Sequence, residues 1–89
     1  MQYEITQHFT FTNIYPHEFM IKIENQNILV IFGRHVNGYF MAFPQLNISC
    51  EAAAPSAISK NTVYLTQAGI RSDYAYCISQ AIREEWKEN

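Results

Sequence analysis

Ile28 to Phe43 reads ILVIFGRHVNGYFMAF, and the reading of this stretch decides the fold. Asn37-Gly38 is a strong signal for a two-residue type I′ turn, because both central residues of that turn need φ > 0. With those two residues as the loop, Val36 faces Tyr39, Arg34 faces Met41 and Phe32 faces Phe43. Upstream, Asn25-Gln26 offers a second turn, which sets Ile23 against Ile28, Ile21 against Val30 and Phe19 against Phe32. The two turns, read independently, place Phe19, Ile21, Ile23, Ile28, Val30, Phe32, Tyr39, Met41 and Phe43 on one face. A slip of one residue would scatter that set, so it is taken as the core face. Gly33, inside a strand pattern, is the expected place for a bulge.

The opposite face then carries Glu18, Met20, Lys22, Leu29, Ile31, His35, Phe40 and Ala42. Met20, Leu29, Ile31 and Phe40 form an apolar patch ringed by polar groups, with Lys22 and His35 beside it. Such patches on a small domain usually mark an interaction surface.

Working outward, Tyr3 to Thr12 alternates as a first strand, with Gln7 interrupting its apolar side. This strand would add Thr6, His8 and Thr10 to the outer face. Pro16 ends the break that follows, and His17 to Glu24 is the second strand. Pro44 stops the fourth strand, and Leu46 to Cys50 alternates as a short fifth. Composition changes at this point, from β-branched and aromatic residues to Ala, Ser, Gln and Glu. Thr62 to Ala68 reads as a short helix with Asn61 at its N-cap, Gly69 at C′ and Ile70 after it. The same residues could also be a strand. The last helix, capped by Ser72 or Asp73, shows Tyr74, Ala75, Ile78, Ala81, Ile82 and Trp86 at helical spacing. Its apolar side should cover the core face of the sheet, with roughly 25 cal/mol gained per Å² of apolar surface buried. The expected fold is α+β: an antiparallel meander of four to five strands with a C-terminal helix packed on one face.

The chain has 89 residues, 48% of them hydrophobic and 16% charged, which suits a single domain over residues 1–89. The formal net charge is −2, and six Lys and Arg are scattered without a basic run, so a duplex DNA partner is not expected. No secretory leader or membrane span is visible. Two widely spaced cysteines, Cys50 and Cys77, read as reduced thiols in a soluble cytoplasmic protein.

No residue set points convincingly to chemistry. Cys50-Glu51 would need a base such as His35 or His8, which spacing does not supply. His8, His17 and His35 lack metal-ligand spacing, so no metal or other cofactor is expected. Gly33 and Gly38 lack the spacing and the following helix of a phosphate loop. Phe40 with Lys22 and His35 could stack single-stranded RNA, although the patch is more aliphatic than aromatic and includes Glu18.

The stretch VIFGRHVNGYFMAFPQLNISCE, with its strand ending at Gly33, its Gly38-aromatic turn, Pro44 and the small residue before Cys50, resembles small uncharacterised proteins of gut Firmicutes. The Ala75–Ile82 helix is similar as well. That resemblance implies carriage on conjugative or phage-like mobile elements, and no reaction. The expectation is therefore a non-catalytic protein-binding or regulatory module. It would be directed at a host protein such as a defence nuclease, or would self-associate as a homodimer. The alternatives are a single-stranded RNA-binding sheet surface and a small thiol-dependent enzyme using Cys50.

Overall fold

Both hairpins close one residue earlier than their turn signals indicate, which moves every cross-strand partner by two. In the computed structural model, which describes residues 1–8, 16–35, 38–52 and 62–85, β2 (His17–Ile23) pairs antiparallel with β3 (Gln26–His35). Ile23 faces Gln26, Ile21 faces Ile28, Phe19 faces Val30 and His17 faces Phe32. The turn is Glu24-Asn25, with φ of 48° and 65°. Asn25 takes a left-handed conformation that its short polar side chain tolerates. Gln26 instead joins β3, where its Oε1 accepts the Tyr74 hydroxyl at 3.2 Å.

In the second hairpin β3 pairs with β4 (Gly38–Phe43). Phe32 faces Met41, Arg34 faces Tyr39 and His35 faces Gly38. Gly38 is thus a strand residue, and Val36 and Asn37 lie outside the described residues. Arg34 sits 5.9 Å over the Tyr39 ring, a cation–π pair across the ladder. Side chains alternate with a period of two, so an offset of two residues changes every partner and leaves every face unchanged.

The predicted core face is accordingly the core. Phe19, Ile21, Ile23, Ile28, Val30, Phe32, Met41 and Phe43 are buried, and the Phe19 and Phe32 rings stack at 6.1 Å. Tyr39 departs from the expectation. It is half-buried near the end of the hairpin, where Arg34 rather than the core takes up its ring.

The β3–β4 ladder shows no bulge at Gly33. The irregularity falls in β1 (Tyr3–Gln7), where Ile5 pairs with Ile21 but Gln7 pairs with Met20, leaving Thr6 as the extra residue. The Thr6 hydroxyl donates to the Met20 carbonyl at 3.3 Å. The bulge turns Gln7 to the outer face and explains why a polar residue interrupts the apolar alternation. It also corrects the placement of His8, which reaches the helix side and donates from Nδ1 to the Glu85 carboxylate. The predicted continuation of this strand through Thr12 lies outside the described residues.

After β4 a 3-10 turn, Pro44–Leu46, leads into β5 (Ile48–Ala52). The five strands form one sheet in the order β1-β2-β3-β4-β5, the antiparallel meander expected. Among the described residues two helices follow, α1 (Val63–Gln67) and α2 (Ser72–Glu85). The α1 segment is helix, not strand. Its N-cap is Thr62, whose carbonyl accepts from Leu65 and Thr66, rather than Asn61, which lies outside the described residues. Its C-terminal end is a Schellman motif: the Gly69 N–H donates to the Thr66 carbonyl and the Ile70 N–H to the Leu65 carbonyl, each at 3.1 Å. Gly69 has φ of 111°, and the two residues it brings together, Leu65 and Ile70, are both buried.

At the start of α2 the Arg71 carbonyl accepts the first helical N–H, from Ala75, at 2.8 Å. Asp73 serves the same turn through its side chain, where Oδ1 accepts the Tyr74 N–H at 2.8 Å and Oδ2 accepts from Arg71 at 2.6 Å. Tyr74, Ala75, Ile78, Ala81 and Ile82 are buried as their spacing predicts, together with Cys77 and Ser79. Trp86 lies outside the described residues. No described helix is long and apolar enough to cross a membrane.

Candidate binding face of the sheet

Both described helices pack on the core face, so among the described residues the sheet has one helix-covered side and one outer side. The alternation that buries Phe19, Ile21 and Ile23 in β2 sends Glu18, Met20 and Lys22 outward. Leu29, Ile31 and Gly33 follow in β3, Phe40 and Ala42 in β4, and Ser49 and Glu51 in β5. Glu4 and Gln7 complete the face on β1.

Cross-strand pairing converts these positions into a map. Met20 faces Leu29, Glu18 faces Ile31, Ile31 faces Ala42, and Phe40 lies between Gly33 and Glu51. Met20, Leu29, Ile31, Ala42 and Phe40 therefore step diagonally across three strands, with Glu18 and Lys22 on one flank and Ser49 and Glu51 on the other. Each of the five is half-buried, while Glu18, Lys22, Ser49 and Glu51 are exposed. Lys22 stands opposite Glu4 in the ladder. The backbone of His35 pairs with Gly38, and its side chain lies outside the described residues.

Two residues of this face escape a reading by residue type. Gly33 is the bed for the Phe40 ring, since a β-carbon placed on it would stand 1.9 Å from Phe40 Cζ and 2.1 Å from Cε1. A glycine inside a strand is the signal that could have shown this, because it marks close approach as often as a bulge. Gln45, in the 3-10 turn, accepts the Leu29 N–H through Oε1 at 2.9 Å. It continues the hydrogen bonding of β3 past the point where β4 ends. No sequence pattern announces that contact.

The groups considered for chemistry are not assembled. Cys50 lies on the helix-covered side, opposite Met41, and burial pushes its thiol pKa up. A nucleophilic cysteine needs the reverse. His8 is held at β1 by Glu85, and His17 is buried in β2 opposite Phe32, so both stand on strands remote from β5. Among the described residues no three His, Cys, Asp or Glu side chains are grouped to hold a metal. A cleft of about 270 Å³ lies between Gln26, Leu46, Ile48, Ile70, Arg71 and Tyr74. Its polar groups are engaged with one another: the Tyr74 hydroxyl reaches Gln26 and Glu24, and Arg71 is bound to Asp73 and lies 4.9 Å over the Tyr74 ring.

Fold and face together define a small α+β domain: a five-stranded meander covered by helices on one side and carrying a mixed apolar and charged surface on the other. The chain belongs to the family of unknown function DUF6618, which it matches over residues 4–89. No curated protein and no solved structure matches it.

Proposed function

We propose that this protein is a non-catalytic binding module whose outer sheet face docks a protein surface. One observation carries the reading: Met20, Leu29, Ile31 and Phe40 join into a continuous half-buried band on the face away from the helices, bordered by exposed Glu18, Lys22 and Glu51. An apolar centre with a charged rim is the anatomy of a protein interface. The mixed rim, with two carboxylates beside one lysine, suits a protein better than a phosphate backbone, which needs a basic surface. The raised thiol pKa of Cys50 supports a role other than nucleophile for that residue. A host protein is the natural target if the chain travels on a mobile element, as the resemblance of its hairpin implies.

The test is substitution at Ile31. It stands opposite Glu18 in the central strand, so a lysine there gains a cross-strand partner while placing charge at the centre of the band. Host-lysate partners captured by the wild type and identified by mass spectrometry should be lost with Ile31→Lys, with the circular dichroism spectrum unchanged. Capture of the same partners by a folded Ile31→Lys variant would refute the reading. Phe40 is a poorer target, because its ring also packs on Gly33.

A further inference from the structure

The cleft on the helix side of the sheet has no part in the outer-face reading. It holds about 270 Å³, with Leu46, Ile48 and Ile70 as its aliphatic wall and Gln26, Arg71 and Tyr74 as its polar side. A cavity of roughly 150 Å³ takes up a benzene molecule, so this one has room for about ten non-hydrogen atoms. Gly69 also lines it and adds no side chain; the nearest atom to where its β-carbon would stand is Ile48 Cδ1, at 3.7 Å. The polar groups are held in place by one another. Arg71 lies 4.9 Å over the Tyr74 ring and donates from Nη2 to Asp73 Oδ2 at 2.6 Å. The Tyr74 hydroxyl reaches Gln26 Oε1 at 3.2 Å and Glu24 Oε2 at 3.4 Å. These bonds occupy acceptors and leave donors over: among the described residues, the Gln26 amide nitrogen and the guanidinium N–H groups beyond Nη2 donate to no one. Surplus donors beside an aliphatic wall suit a ligand with an acceptor-rich head and a short hydrocarbon body.

We propose that this cleft binds a small aliphatic carboxylic acid, whose carboxylate accepts from Arg71 and Gln26 and whose hydrocarbon body lies on Leu46, Ile48 and Ile70. This goes beyond the outer-face reading and does not depend on it. A guanidinium can serve two carboxylates at once, because its five N–H groups point along different edges, so Asp73 keeps its bond. Asp73 also fixes the guanidinium over the Tyr74 ring, which lowers the ordering cost of binding. Arg71, Asp73 and Glu24 are the charges around the cleft, and their sum is not positive. The head is therefore held by directed hydrogen bonds rather than by net charge, and the affinity falls in the millimolar range.

Titration of the 15N-labelled protein with 4-methylpentanoate at neutral pH and fixed ionic strength, followed by amide NMR, tests the site. Saturable shifts should appear at Leu46, Ile48 and the Gly69–Tyr74 segment. Three relatives of the probe separate its parts: 4-methylpentanamide has the body without the charge, 4-methylpentylamine reverses the charge, and acetate has the head without the body. All three should bind more weakly than the acid. Acetyl-leucine carries the same head and body on a peptide bond, and tighter binding of it than of the free acid would make a chain terminus the natural ligand. Arg71→Gln should weaken 4-methylpentanoate about tenfold. Leu46→Trp fills the cleft while keeping Arg71, and should abolish the shifts in a protein whose remaining spectrum is unchanged. Ile31→Lys should leave binding as it is. Absence of saturable shifts in this region up to molar excess in the tens of millimolar would overturn the proposal and leave the outer face untouched as a docking site. So would equal affinity for the acid and the amine, or full binding by a folded Leu46→Trp variant.

Discussion

Gly33 and Phe40 face each other across the β3–β4 ladder, and the phenyl ring occupies the space a side chain on Gly33 would need. The relationship is reciprocal. Glycine weakens a strand through its backbone freedom and its missing side chain, and the ring supplies the lost packing from the neighbouring strand.

Gly33→Ala should therefore destabilise the fold by about 1–3 kcal/mol, the usual range for overpacking, because the ring must leave its bed. In a Phe40→Ala background the same change should be neutral or stabilising. Urea unfolding of the four proteins in the cycle checks this, and additive effects would show that the ring does not depend on the glycine.

Ile21 and Ile31 are both isoleucines in inner strands on opposite faces. Ile21 is fully buried against the helices and Ile31 half-buried on the outer side. Ile21→Ala should cost about 2–5 kcal/mol. Ile31→Lys should cost less than about 1 kcal/mol, with Glu18 opposite it. Comparable losses at the two sites in chemical denaturation would mean that the outer face is covered.

Gly69→Ala tests the end of α1. A β-carbon there would meet only Ile48 Cδ1, at 3.7 Å, so space is not the obstacle. The φ of 111° is, and a cost of about 1–2 kcal/mol is expected from the backbone alone. The thermal midpoint of the variant reads it directly.

Asp73 gives the fold an acid dependence. Burial works against its charge, but the hydrogen bonds from Arg71 and from the Tyr74 N–H hold its carboxyl below the ordinary value. A depressed carboxyl contributes stability in full above its unfolded-state pKa and loses it as pH falls through the folded value, here below about pH 4. Asp73→Asn should lower the melting temperature at neutral pH, and the gap from wild type should close toward pH 3.

Cys50 should alkylate slowly at neutral pH, with a midpoint above that of a free thiol, because burial raises its pKa. Mass spectrometry after iodoacetamide treatment at stepped pH measures this. A midpoint below the free-thiol value would bring the thiol-enzyme alternative back.

The face assignment was legible in the sequence because it depends on parity alone. Phe19, Ile21 and Ile23 are buried and Met20 is half-exposed whichever turn residue closes the hairpin. The partners were not legible. Asn25-Gln26 and Glu24-Asn25 are both acceptable loops by residue type, so residue type alone does not choose between them; in the register the fold adopts, Gln26 meets Tyr74, a residue far along the chain. The α1 terminus could be read directly, since Gly69 and Ile70 act through bonds three and five residues back.

The apolar band of Met20, Leu29, Ile31 and Phe40 could be named from alternation, but its diagonal course depends on cross-strand pairing. His8 shows the limit most plainly. One extra residue at Thr6 reverses the faces of Gln7 and His8, and the contacts made there, Thr6 with Met20 and His8 with Glu85, are to residues distant in sequence. The sequence by itself determined which residues share a face, where α1 stops and which face is the core, because those follow from periodicities of two and 3.6 and from local backbone preference. Only the tertiary structure decided who stands opposite whom, that Phe40 lies on Gly33, and that β1 is bulged while β5 is regular, because those depend on contacts between segments that no local pattern encodes.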